Sequence, residues 1–214
     1  MRTSWMMLLI TVFLSVATQA NDQVAKTEAL TAVRPRCEYL TNPLGIDTRQ
    51  PRLTWQVQSN EPEQKQTAYR ILVASTEEQL ARNEANLWNS GKIQSSETAH
   101  VSYAGTPLKS GQRCFWKVQI WDQNDRPSAF SQSAWWEMGL LNDSDWEGKW
   151  IAGPEPCPYS RKVFTIARPV HSVRLYICGQ GVYKARLNGK ALSDQVLGPQ
   201  LSNYPKRMLY DTLM

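Results

Sequence analysis

The chain has 214 residues, 24 Lys and Arg against 19 Asp and Glu, a net charge of +5 and 42% hydrophobic residues. That length holds one or two domains. The positive excess is scattered, with no Lys/Arg run and no basic helix face, which argues against a nucleic-acid-binding protein.

Residues 1–20 read as a secretory signal peptide. Arg2 gives a positive start, the stretch from Met6 to Val16 is largely apolar, and Thr18 and Ala20 are small residues ahead of a cleavage before Asn21. The apolar run is shorter than the ~20 residues that a membrane span needs. No Cys follows the cleavage point, so a lipoprotein anchor is not indicated. The expected location is periplasmic or extracellular. Residues 21–33 are polar and rich in Ala and Thr, the composition of a flexible leader.

Strand signals then recur at short spacing. Arg36–Leu40 is a short strand, followed by a turn over Asn42–Gly45. Leu53, Trp55 and Val57 alternate with polar residues, and Tyr69, Ile71 and Val73 repeat that period. One short helix interrupts: Thr76 and Gln79 form a capping-box signature, with Leu80 and Leu87 on an apolar side. The segment LWNSGKI reads as a strand with a turn or bulge at Ser90-Gly91. The strongest strand pattern is CFWKVQIWD, with Trp116, Val118 and Ile120 on one face and Phe115, Lys117, Gln119 and Trp121 on the other. Ser131–Met138 closes the series. About seven short strands over residues 34–138 predict a two-sheet sandwich of the immunoglobulin or fibronectin type III class. No Cys…Trp…Cys spacing is present, which favours the fibronectin type.

Residues 139–158 form a linker with three prolines, at 154, 156 and 158, and with Trp146 and Trp150 placed to pin it. A second β unit over 159–214 follows. Arg161–Ile166 is a strand, Val173, Leu175 and Ile177 alternate with Arg174, Tyr176 and Cys178, and Tyr183, Ala185 and Leu187 continue the pattern. Asn188-Gly189 is a two-residue hairpin turn, because both positions tolerate positive φ. A turn over Asp194–Pro199 and a strand from Lys206 to Asp211 complete the unit. Four or five strands cannot cover both of their faces, so this sandwich is expected to be truncated, with apolar surface and open edges. The fold expected overall is all-β.

Signals for chemistry are sparse. Gly179-Gln180-Gly181 lacks the third glycine of a dinucleotide loop, since position 184 is Lys184, and a strand follows it. Asp143, Asp145, Glu147 and Gly148 resemble the start of an EF-hand loop, but Pro154 stands where the closing Glu belongs. The four cysteines lie far apart without C-x-x-C, which argues against a zinc site and leaves their pairing open. His100 and His171 stand alone, and no carboxylate pair is singled out by spacing, so no catalytic residue is assigned. Nine Trp suit either a sandwich core or sugar stacking, with core the expectation for most. Asn188, Asp194, Asn203 and Tyr204 are polar or aromatic residues on sandwich loops. Asn188 and Asp194 read as turn residues, and Asn203 and Tyr204 as the candidate carbohydrate-binding pair.

The ordered blocks CEYLTNPLGIDTRQPRLTWQVQS, QTAYRILVAS, LWNSGK, LKSGQRCFWKVQIWD, WWEMGLL and DWEGKWI, then RLYICGQGVYKARLNGK and PQLSNYPKRMLYDT, resemble the start of bacterial α-L-rhamnosidases of glycoside hydrolase family 78. The resemblance covers residues 34–212. It implies a fibronectin-type module and a jelly-roll-like sandwich related to rhamnose-binding modules, on which downstream β domains and an (α/α)6 catalytic barrel would pack. It also implies hydrolysis of terminal α-L-rhamnose from glycosides with inversion, by a carboxylic acid and a carboxylate base in that barrel. No position here matches either residue. The family commonly has Pro-Gly-Trp-Thr-Asp-Tyr where this chain has Pro199, Gln200, Leu201, Ser202, Asn203 and Tyr204. Leu201 supplies no stacking face and Asn203 no charge, which weakens both the sugar site and the calcium ion that accompanies some related modules. The expectation is therefore an exported accessory region of an α-L-rhamnosidase, inactive alone; the alternative is a stand-alone carbohydrate-binding or protein-interaction module.

Overall fold

The computed structural model describes residues 30–156 and 158–214. The expected signal peptide and the expected leader up to residue 29 lie outside the described residues. The first sandwich contains β1 (Thr31–Cys37), β2 (Arg52–Gln58), β3 (Ala68–Ala74), the helix α1 (Glu77–Ala81), β4 (Trp88–Asn89), β5 (Ile93–Gln94), β6 (Val101–Ser102), β7 (Arg113–Trp121) and β8 (Ala134–Glu137). One sheet has the order β1-β2-β6. The other has the order β4-β3-β7-β8, with β5 also paired to β3. All these pairings are antiparallel.

The first strand starts earlier than its sequence suggests. Leu30 is buried and Thr31 already pairs with Gln58, so residues 30–33 belong to the sandwich rather than to a leader. A bulge between Val33 and Arg36, with Arg34 at φ 52°, breaks the alternation that would have marked the strand. Pro35, which lacks a donor, sits inside that bulge.

The core forms where the period-two patterns meet. Along β7 every second residue is buried, and Cys114, Trp116, Val118 and Ile120 are all fully enclosed. Trp55 and Trp136 join them from β2 and β8. The Trp55 indole donates to Gln66 Oε1 at 2.9 Å, which satisfies a polar group that burial would otherwise penalise. Helix α1 is capped as expected, with Thr76 Oγ1 accepting from Gln79 N at 3.2 Å. The reciprocal arm of the capping box goes elsewhere: Gln79 Oε1 accepts from Ser75 Oγ. Only Leu80 of the helix is buried. Leu87 lies beyond it, donating from its backbone to Val73 O at the approach to β4.

The second unit contains β9 (Leu175–Cys178), β10 (Arg186–Leu187), β11 (Lys190–Ala191) and β12 (Tyr210–Leu213). They form two separate two-stranded sheets, β9 with β12 and β10 with β11. The β10–β11 hairpin turns on Asn188 (φ 50°) and Gly189 (φ 80°), as their dipeptide requires. Three expectations are corrected. Arg161–Ile166 is not a strand: Val163 and Phe164 are exposed, and among the described residues no strand lies beside them to complete a ladder. The strand expected over Tyr183–Leu187 is confined to Arg186–Leu187. The last strand starts at Tyr210, because Asn203 O accepts from both Lys206 N and Arg207 N and so winds that stretch into a turn.

Between the units, residues 140–146 are tied down. Asp145 caps a 3-10 turn over Asp143–Asp145 and accepts from Ser110 Oγ. Arg49 donates to Leu141 O and to Asn142 Oδ1. Trp146 packs edge-on against Tyr210 with ring centroids 5.2 Å apart. Trp150 is 66% exposed.

Candidate functional site

The expected sugar-facing residues lie on the loops between β9 and β12. Asn203 is exposed, and its backbone carbonyl closes the turn described above. Tyr204 is half-buried, and its hydroxyl accepts from Gly181 N at 2.9 Å, which fixes the turn after β9. The structure thus keeps both residues in one loop but gives Tyr204 a structural partner. Leu201 is 78% exposed and offers no ring. Asn188 lies on the exposed turn between β10 and β11, as a turn residue should, and Asp194 lies on an exposed loop without a turn of its own.

A cleft beside these loops is lined by Tyr183, Lys184, Ser193, Gln195 and Asp211. Its volume of ≈ 20 Å³ holds about one water, far below the ~300 Å³ at which ligand pockets begin. At its wall the Tyr183 hydroxyl donates to Asp211 Oδ2 at 2.5 Å. Burial pushes the Tyr183 phenol well above its ordinary range, and the neighbouring Asp211 carboxylate adds to the shift. Asp211 is therefore engaged as an acceptor and Tyr183 is held neutral. Among the described residues no three His, Cys, Asp or Glu side chains come together as a cation cage. Asn203, exposed on its turn, adds no carboxylate, so these residues do not fit a calcium site.

Among the described residues two carboxylates are buried, and both hold structure together. Asp122 accepts from Asn124 N, Arg126 N and Arg126 Nε, closing the turn after β7. Glu137, at the end of β8, is 4% exposed. Its Oε1 accepts from Arg174 Nε at 2.5 Å, its Oε2 accepts from Arg174 Nη2 at 2.8 Å, and Arg113 Nη2 lies 2.9 Å from Oε2. Burial alone would raise the Glu137 pKa, but hydrogen bonds and charge from Arg174 and Arg113 outweigh it and hold the carboxyl below its usual range. A carboxylate locked between two guanidinium groups neither donates a proton nor activates water.

Sequence reasoning missed this cluster. Its partners sit 24 and 37 residues from Glu137, on elements whose pairing has no local signal. The cluster joins the two units: Arg174 precedes β9, and Glu137 and Arg113 lie in the first sandwich. Around it, Leu140 N donates to Tyr210 Oη at 2.7 Å, and Arg207 Nη2 donates to Asp47 Oδ2 at 2.6 Å. A Cβ at Gly139 would come within 2.1 Å of Tyr210 Oη, and one at Gly45 within 2.6 Å of Thr212 Oγ1. Both glycines are therefore places where β12 meets the backbone of the first sandwich.

Comparison with known proteins matches residues 32–142 to the family of Rha78A-like N-terminal immunoglobulin domains and residues 168–213 to the α-L-rhamnosidase N-terminal domain. An α-L-rhamnosidase of Formosa agariphila is 36% identical over 211 residues, covering 92% of this chain and 22% of the relative. The solved α-L-rhamnosidase of Dictyoglumus thermophilum superposes with a TM-score of 0.79 at 34% identity, covering 85% of this chain and 23% of that one. The α-L-rhamnosidase of Streptomyces avermitilis, solved with L-rhamnose, superposes with a TM-score of 0.57 at 30% identity, covering 86% of this chain and 20% of that one. The chain thus spans about a fifth to a quarter of the length of these relatives.

Proposed function

Because the chain belongs to the α-L-rhamnosidase family through its Rha78A-like N-terminal immunoglobulin domain, we propose that it is the accessory N-terminal region of an enzyme that removes terminal α-L-rhamnose from glycosides. The observation that carries this reading is the tandem order of the two matched domains, over 32–142 and then 168–213. The proposal includes export, which rests on the signal-peptide pattern of residues 1–20.

The role follows from what the residues can and cannot do. Inverting glycoside hydrolysis needs two carboxyl groups about 6.5–9.5 Å apart, one protonated and one free to activate water. The buried carboxylates here, Glu137 and Asp122, are bound to arginines, and Asp211 accepts from Tyr183. The cleft lined by Tyr183, Ser193, Gln195 and Asp211 is too small for a pyranose, and neither Asn203 nor Tyr204 lines it. The chain therefore contributes structure, and the chemistry belongs to the parent. Incubation of the purified 214-residue chain with 4-nitrophenyl α-L-rhamnoside is expected to release no nitrophenol above the blank. Release that scales with protein concentration would overturn the accessory role.

A further inference from the structure

A second cleft lies on the first sandwich, between α1 and the segment that follows β7. It is lined by Glu77 and Ala81 of the helix, by Lys117 of β7, and by Phe130, Ser131 and Ser133. Its volume of ≈ 230 Å³ is roughly ten times that of the cleft at Tyr183 and Asp211. It falls short of the ~300 Å³ at which pockets for drug-sized ligands begin, which limits an occupant to one small ring. The walls are fixed by local chemistry. Ser128 N and Ser131 N donate to Ile120 O and Val118 O, and the two serine hydroxyls accept from Ile120 N and Val118 N, so the segment lies strapped along β7. That holds Phe130 against the small core of Leu72, Ala74 and Leu80. Thr76 caps the helix on the opposite wall. Walls that are already ordered add little entropy cost to binding.

The polar groups in this cleft have capacity to spare. Lys117 Nζ lies 4.7 Å from the centre of the Phe130 ring, and among the described residues it has no ion pair. Lys92, which sits over Trp121 in the same way, is paired with Asp125. Burial holds the Lys117 ammonium below its ordinary range, a shift that an arriving anion would reverse. Glu77 accepts only from Ser133 Oγ, at a long 3.4 Å. Lys117 can therefore donate to an anion, Glu77 can accept from hydroxyl groups, and Ala81 and Phe130 offer carbon to a ring. The Glu77 charge also repels a dianion more than a monoanion. A hydroxylated ring that carries one carboxylate meets all of these demands.

We infer that this cleft binds a uronate residue of a glycan, with the sugar carboxylate on Lys117 and its hydroxyls on Glu77 and Ser133. Glu77, Ala81 and Ser133 are exposed, so their side is open for the glycosidic bond to leave. The site belongs to the immunoglobulin-like domain and does not rest on the rhamnosidase reading. Its test reads binding of an acidic sugar, whereas the nitrophenol assay reads hydrolysis, so either can fail without the other.

Nuclear magnetic resonance of the isotope-labelled 214-residue chain tests it, with methyl β-D-glucuronide, methyl β-D-glucoside and sodium acetate as probes. The glucuronide is expected to shift the amides of Ala81, Lys117, Phe130 and Ser133 saturably. It should bind about tenfold or more tightly than the glucoside, which lacks the charge, and than acetate, which lacks the ring. Lys117→Met keeps an unbranched stem over Phe130 and removes the charge, and should weaken glucuronide binding about tenfold. No saturable shift at these residues, equal binding of the glucoside or of acetate, or undiminished binding by a folded Lys117→Met overturns the site. The comparison of the three probes uses the wild-type chain, so it decides the matter even if the variant fails to fold.

Discussion

Replacing Glu137 by Gln keeps the size of the side chain and removes its charge. Arg174 is left facing a neutral amide with its side chain only 13% exposed, whereas Arg113, at 34%, regains much of its hydration. Breaking a buried ion pair costs about 3–5 kcal/mol, and a solvent-screened pair contributes about 0–1 kcal/mol. With one partner enclosed and the other a third exposed, the expected loss is about 2–3 kcal/mol. For a domain of this size that lowers Tm by on the order of 5–13 °C. The pH dependence is a second signature. The folded Glu137 pKa lies below its ordinary value, so the stabilisation is fully present above the unfolded glutamate pKa and is lost as pH falls through the folded value. The difference between wild type and Glu137→Gln should therefore be full at neutral pH and close progressively below about pH 4. Thermal unfolding followed by circular dichroism at stepped pH measures both. Other carboxylates held low by their partners, such as Asp122 and Glu38, titrate in both proteins and cancel in the difference. Equal Tm values at pH 7, or a gap that does not narrow in acid, would refute the assignment of Glu137 as the charged joint.

Trp55→Phe should cost more than Trp116→Phe in a chemical denaturation series, by about 1–2 kcal/mol. The first leaves the Gln66 amide oxygen without its donor, whereas the Trp116 indole nitrogen is already buried without a partner. Thr76→Ala should destabilise the first sandwich by about 1 kcal/mol through loss of the α1 cap, and Thr76→Ser should restore it. Burial pushes the Cys114 thiol up to about 12 and drives Cys37 upward as well. Neither should react with a maleimide at pH 8 until the protein is unfolded, which mass spectrometry of the labelled peptides would reveal. Asn203→Ala should leave the unfolding free energy within about 0.5 kcal/mol of wild type, since its fold-holding contacts come from the backbone carbonyl.

The parts of the fold that could be read from the sequence are those with a local cause. Strand β7 alternates without a break over nine residues, so its buried face is apparent in the residues themselves. Asn188-Gly189 and Thr76 announce a turn and a cap through their own backbone and side-chain chemistry. Where a second segment decides, the signal fails. The β1 pattern is interrupted by a bulge that only its pairing with β2 reveals. Val163 and Phe164 alternate with polar neighbours as a strand would, but alternation without an adjacent strand has nothing to bury against. The Glu137 joint is the extreme case, since a Glu and two Arg at long separations are indistinguishable from surface charge until the units meet. For the candidate site, the sequence singled out Asn203 and Tyr204 as a pair. It did not reveal that the Tyr204 hydroxyl is committed to Gly181 N.

The uncovered segment at 162–166 also bears on how this protein behaves at high concentration. Lys-Val-Phe-Thr-Ile combines β-branched and aromatic residues with a single charge, and Val163, Phe164 and Ile166 are all more than half exposed. Such a window is a template for intermolecular strand stacking. Its neighbours work against that outcome. Arg161 stands on one side and Arg168-Pro169 on the other, so charge repulsion and a missing backbone donor flank the sticky core, as gatekeepers do. Neutralising Arg161 and Arg168 would leave every hydrogen bond named above intact and is expected to raise the yield of thioflavin-positive aggregates.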